Sequence, residues 1–242
     1  MRKCLSVFLL IFLSYFTFGF DSPAPGGKIL SFFAQDSSGR FNTGHEIQSR
    51  DVYASEDGEI VFYNSQMIAV KHNDEIMSIY KNVNVRESSL HRNFVKRGQI
   101  IGSAVGGSFH FDIFDTAMNR YINPSLMIER TKKSELPAVS EIGYDKSGIL
   151  EIKLDDSETD SLYSIQILLD GRQIYDLKFE TISVSDDSLK LDDTGFTYAD
   201  LYRKSGVFSI PGIPFKKGEN SLEIIVKDFY GKTISFRDII SL

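Results

Sequence analysis

The chain is expected to fold as an all-β protein built from two successive β-units, and three observations predict this. Short apolar runs rich in Val, Ile, Tyr and Phe recur from Val52 onward. Gly, Asn and Asp separate them, the punctuation of antiparallel strands and tight turns rather than of helices. A charged, proline-ended stretch, ERTKKSELP (Glu129–Pro137), then interrupts the pattern as a linker would. Composition agrees with a packed globular chain. The 242 residues are 42% hydrophobic and 25% charged, and 18 Gly with 6 Pro exclude a collagen-like or wholly disordered polymer.

The first element is a leader. Arg2 and Lys3 precede seventeen uncharged residues, Cys4–Phe20. This run falls short of the roughly 20 apolar residues that cross a bilayer, and Ser6, Ser14 and Thr17 interrupt it. Residues 1–20 therefore read as a signal peptide. Thr17 and Gly19 are small and two apart, which places the cut close to Phe20. The expected destination is the periplasm or cell envelope, with no stable membrane span left after cleavage. Cys4 is the only cysteine, so the mature chain has no disulfide framework and no thiolate nucleophile. Losing Arg2 and Lys3 leaves 25 basic against 33 acidic residues, a formal charge of −8. That acidity excludes a phosphate-backbone partner, which needs clustered cations.

In the first unit the strand-like runs are VYAS, EIVFYN, MIAVKH, IMSIYKNV, a glycine-punctuated stretch from Gly98 to Gly107, and FHFDIF. After the linker come ILEIKL (Ile149–Leu154), YSIQILLDGRQIYDL (Tyr163–Leu177) and SLEIIVKDFYGKTISF (Ser221–Phe236). Asp170-Gly171 and Tyr230-Gly231 fall between apolar runs, where a tight turn needs a positive φ. A region of this size with several strands predicts a β-sandwich. Ser183–Gly206 is acidic and less periodic, and its ADLYRKSG end reads as a short helix or a crossing loop.

Six segments then follow one another in a recognisable order: NTGHEI (Asn42–Ile47), VYASEDGEIVFY (Val52–Tyr63), IYKNV (Ile79–Val83), VKRGQIIG (Val95–Gly102), SFHFDI (Ser108–Ile113) and YINP (Tyr121–Pro124). On these residues Asn42–Pro124 resembles the lysostaphin/LytM family of zinc metalloendopeptidases, which cleave peptidoglycan cross-bridges. The resemblance implies a LytM-like duplicated hybrid motif β-domain over residues 21–132. KGENSLEIIVKDFYGKTISF (Lys217–Phe236) resembles the last two strands of bacterial immunoglobulin-like modules, which implies an immunoglobulin-like β-sandwich over residues 138–242. A generic hairpin at Tyr230-Gly231 remains the alternative.

The resemblance also fixes where chemistry would sit. A catalytic zinc needs three protein ligands and an open position for water. In that family a His and an Asp four residues apart supply two ligands, and the matching positions are Asn42 and Glu46. The third ligand, the second His of a His-x-His pair, matches His110. Ser108 replaces the first His of the pair, and Asn82 replaces the His of the family's tyrosine-x-histidine-leucine strand. A neutral amide is a weak zinc ligand, and neither Asn82 nor Ser108 exchanges a proton near neutral pH as imidazole does. The resemblance therefore implies a non-catalytic member without a metal or other cofactor. Its degenerate cleft, Asn42, Glu46, Asn82, Ser108 and His110, would bind peptidoglycan or regulate a cell-wall hydrolase. The alternative is an active zinc metalloendopeptidase with atypical ligands, Glu46 and His110 joined by His45. A one-residue slip in a strand points His45 to the opposite face. A third class is a structural or adhesive surface protein.

Other groups carry less. His72, at a strand end in VKHND, is expected to be solvated, and His91 in ESSLHRN has no partner nearby in sequence. Asp156, Glu158 and Asp160 loosely resemble a calcium loop but lack its central glycine and closing Glu, and read as a solvated acidic loop. Nothing places two carboxylates of Asp186–Asp193 across a sugar substrate.

Overall fold

The computed structural model describes residues 19–86, 93–128, 136–145, 147–155, 162–185 and 188–242. Residues 1–18 of the expected leader, most of the expected 129–137 linker, His91 and the Asp156, Glu158, Asp160 group lie outside the described residues.

The first half supplies strands β1 (Lys28–Ser31), β2 (His45–Gln48), β3 (Asp51–Tyr53), β4 (Gly58–Tyr63), β5 (Met67–Lys71), β6 (Ile76–Lys81), β7 (Val83–Val85), β8 (Phe94–Val95), β9 (Ile100–Ala104), β10 (Ser108–Asp115) and β11 (Arg120–Ile122). β10 is the axis. It pairs antiparallel with β6 along one edge, and with β2 and then β11 along the other. β6 continues the sheet through β5 and β4 to β8, while β3, β9 and β7 form a separate three-stranded sheet. The core follows from the two-residue side-chain period of a strand. Phe109, Phe111 and Ile113 of β10 bury their side chains with Ile47, Val70 and Tyr80, which leaves Ser108, His110 and Asp112 for the other face. The run IMSIYKNV becomes two strands rather than one, because Asn82 takes a left-handed φ of +61° between β6 and β7. Asparagine tolerates that conformation better than most residues.

The second half contains β12 (Val139–Tyr144), β13 (Leu150–Leu154), β14 (Leu162–Leu169), β15 (Arg172–Lys178), β16 (Thr181–Ser185), β17 (Ser188–Leu191), the one-turn helix α1 (Tyr198–Leu201), β18 (Val207–Ile210), β19 (Glu219–Asp228) and β20 (Thr233–Ser241). A three-stranded sheet, β12-β13-β18, and a four-stranded sheet, β15-β14-β19-β20, bury alternate residues in one cluster that includes Ile152, Ile167, Phe208 and Ile224. Asp170 (φ +50°) and Gly171 (φ +76°) make the β14–β15 turn, and Gly231 (φ +81°) lies in the β19–β20 turn. Thr197 and Asp200 form a reciprocal capping box that starts α1 in the ambiguous segment.

Packing runs across the expected boundary between the halves. β11 pairs with β16, Tyr121 opposite Ile182, so the first-half sheet ends in β16 and β17. The Asn123 amide donates to the Phe179 carbonyl at 2.7 Å. Phe33, Ala34 and Phe41, from the loop before β2, lie in the second-half core together with Leu136. Tyr202 donates to the Ala34 carbonyl, and Asp36 accepts from the hydroxyls of Tyr198 and Ser205.

Candidate functional site

The register of β2, β10 and β6 sets Glu46, His110 and Lys81 side by side, each directly opposite its neighbour. Ser31 of β1 lies opposite Glu46 and extends the row to four strands. Directly opposed residues share a face, so these four side chains and the i±2 neighbours of His110 form one polar patch on the side of β10 turned away from the aromatic core. Ser108 donates to Glu46 Oε1 at 2.6 Å. His110 Nε2–H donates to Asp112 Oδ1 at 2.8 Å, Thr43 donates to the same oxygen at 2.7 Å, and Lys81 Nζ lies 2.7 Å from Oδ2.

Asp112 is the anchor of this patch. Its side chain has no exposed surface, and burial alone would push its carboxyl upward. The hydrogen bond and charge of His110, together with the Lys81 ammonium, outweigh burial and hold it down at about 2. Tyr121 borders the group, where burial and then the Asp112 charge raise its phenol. Gly44 lets the chain approach, since a Cβ there would sit 2.0 Å from the Phe111 carbonyl oxygen. Asp112, Lys81 and Thr43 were absent from the set expected from the sequence. The alternation of SFHFDI carried the signal for Asp112, two residues beyond His110 on the same face.

The five expected residues do not all converge. Glu46, Ser108 and His110 share the patch. Asn42 is buried behind it, its amide donating to Ser31 Oγ at 2.6 Å and to the Phe32 carbonyl. Asn82 is exposed beyond the end of β6, and its side chain makes no hydrogen bond among the described residues. Its carbonyl accepts from the Val105 N–H. His45 lies on the opposite face from Glu46, 2% exposed. There it meets Ser125 at 3.2 Å and lines a cavity of about 100 Å³ with Ile47, Ser125 and Ile128. Glu46, His110 and His45 therefore cannot meet around one ion.

His72 is not solvated. Its Nδ1–H donates to the Asp57 carbonyl and its Nε2 pairs with the Ser78 hydroxyl, both at 2.8 Å, and burial lowers its imidazole. Ser78 continues through the Tyr80 hydroxyl to Ser55, a polar chain inside the first-half core.

The donor set does not fit a catalytic zinc. Among the described residues no group of three or more His, Cys, Asp or Glu side chains is placed to hold a metal ion. The Glu46 carboxylate accepts from Ser108, the His110 Nε2–H is committed to Asp112, and the Asn42 amide is turned to β1. We expect well under one zinc per chain by elemental analysis of the purified protein. Stoichiometric zinc that disappears in His110→Ala would contradict this.

A family model matches residues 146–237, within the second half. No curated protein matches the chain. Among solved structures, a zinc-containing peptidase from Vibrio cholerae is similar at 19% identity, with a TM-score of 0.38, over 47% of this chain and 41% of that one. The catalytic domain of a point mutant of the prophage-encoded M23 protein EnpA from Enterococcus faecalis is similar at 20% identity, with a TM-score of 0.36, over 45% of this chain and 95% of that one. The chain thus spans less than half the length of the first, and the likeness in both cases covers less than half of this chain. The architecture is mostly β-sheet.

Proposed function

We propose that this is an exported, non-catalytic envelope protein whose polar patch on β1, β2, β10 and β6 binds peptidoglycan or a peptidoglycan hydrolase. One observation carries the reading. Glu46, His110 and Lys81 stand opposite one another on a single sheet face with Ser108 beside them, and the Ser108–Glu46, His110–Asp112 and Lys81–Asp112 contacts hold the group in place. Such a patch offers fixed donors and acceptors of both charges, which suits recognition of a polar polymer more than bond cleavage. The residues that resemble LytM motifs supply the choice of polymer. The first unit is read as residues 21–132 with a LytM-like duplicated hybrid motif. Residues 138–242 are read as an immunoglobulin-like module, a reading supported by its three- and four-stranded antiparallel sheets around one core.

Cosedimentation of the full mature chain with purified sacculi, and capture of envelope hydrolases by the same chain, test this. We expect retention on one of the two, weakened about tenfold by the Glu46→Ala and His110→Ala double variant, with no muropeptides released. Muropeptide release by the unaltered protein that vanishes in Glu46→Ala would establish the peptidase alternative.

A further inference from the structure

We infer that export processing cuts the peptide bond between Gly19 and Phe20, so that Phe20 is the first residue of the mature chain. This rests on the exported reading above and moves the boundary by one residue from the expected leader of residues 1–20. Phe20 belongs to the fold. It is 2% exposed, its ring meets His72 edge-on with centroids 4.9 Å apart, and its N–H donates to the Met127 carbonyl at 2.8 Å as it bridges to Ile128. The residues that follow are equally fixed. The Asp21 N–H donates to the Ser55 carbonyl, its carboxylate pairs with Arg97, the Pro23 carbonyl accepts from Tyr53, and Ala24 is buried. One residue earlier no side chain is held, since a Cβ built on Gly19 would meet nothing within 4 Å.

The two sides of that bond therefore have different owners. Thr17 and Gly19 present the small residues at alternate positions that a leader peptidase reads, and Phe20 presents a side chain that the folded protein holds. A cut after Phe20 would strip the ring from above His72. The next pair of small residues two apart, Ser22 and Ala24, would direct a cut that removes Phe20, Asp21 and Ala24 together. In the proposed step water adds across the Gly19–Phe20 amide. The C–N bond breaks, the water oxygen joins the Gly19 carbonyl carbon to give a carboxylate, and both water protons end on the Phe20 nitrogen, which becomes an ammonium. That ammonium still donates to the Met127 carbonyl, now as a charge-assisted hydrogen bond, so processing strengthens the contact that the amide N–H already makes.

Intact mass and N-terminal sequencing of the chain recovered from the envelope of cells expressing the full sequence test the assignment. A chain starting at Phe20 is expected. A start at Asp21 or beyond overturns the inference and leaves export standing, whereas an uncut chain retained in the cytosol overturns export and the inference together. Phe20→Ala is expected to be cut at the same bond but to melt about 5 °C lower. An unchanged melting temperature would overturn the claim that the fold holds this residue.

Discussion

Gly44→Ala is expected to destabilise the protein by more than about 3 kcal/mol, or to prevent it from folding, although the change adds a single methyl group. The new Cβ would lie 2.0 Å from the Phe111 carbonyl oxygen, 2.8 Å from its carbon and 2.7 Å from Asp112 Oδ1. The first two atoms are backbone of the central strand β10, held on both edges by β2 and β6. They cannot swing aside as a side-chain tip can. β2 would have to withdraw from β10, and the row from Ser31 to Lys81 would come apart with it. Urea denaturation measures the loss. Gly143→Ala is the control, because its nearest neighbour would be Glu151 Oε2 at an ordinary 3.4 Å, and it is expected to change stability by less than about 0.5 kcal/mol. Equal effects at the two positions would remove the close approach at Gly44 as the explanation.

Asp112→Ala should cost about 3 kcal/mol, the lower end of the range for breaking a buried ion pair, since Lys81 is 39% exposed and can turn to water. The same carboxylate predicts a pH dependence. Its folded pKa of about 2 lies below the ordinary 3.8, so the unfolded chain takes up a proton first as the solution is acidified. The stabilisation is fully present above pH 4 and is lost as pH falls from there toward 2, an amount on the order of 2 kcal/mol. Chemical denaturation across that window should show a shallower acid limb in Asp112→Ala than in the unaltered protein. Parallel acid limbs would mean that Asp112 does not set it.

Most strands were legible because their two-residue period and bounding turn residues are local. EIVFYN and MIAVKH become β4 and β5, and the Asp170-Gly171 turn has the positive φ at both residues that its composition demands. β1 and β11 were not legible as strands. They are four and three residues long, too short to display a period, and pair with the edges that β2 and β10 offer. The site divides the same way. Alternation along β10 places Ser108 with His110, and pairing with β2 brings Glu46. Asn42 turns inward because β1 supplies Ser31, and Asn82 leaves the strand because its φ is positive; neither cause can be read from the motif that contains it. His72 looked like a turn residue from sequence, but its partners Asp57 and Ser78 come from the turn before β4 and from β6.

The loop that carries Asp36 has a bearing on when the protein can finish folding. Its contacts with Tyr198, Tyr202 and Ser205 join residues 162, 168 and 169 positions apart in the chain. Closing so large a loop is entropically expensive and slow, because much of the chain must be arranged before the contact stabilises anything. Phe33 and Phe41 emerge early in synthesis, but the core cluster that they join also takes in Phe208, Ile224 and Ile240. Until those residues are made the two rings lack part of their native core. A chain of this topology stays incompletely folded until nearly all of it has been made, the condition in which a polypeptide can still be threaded through a narrow pore.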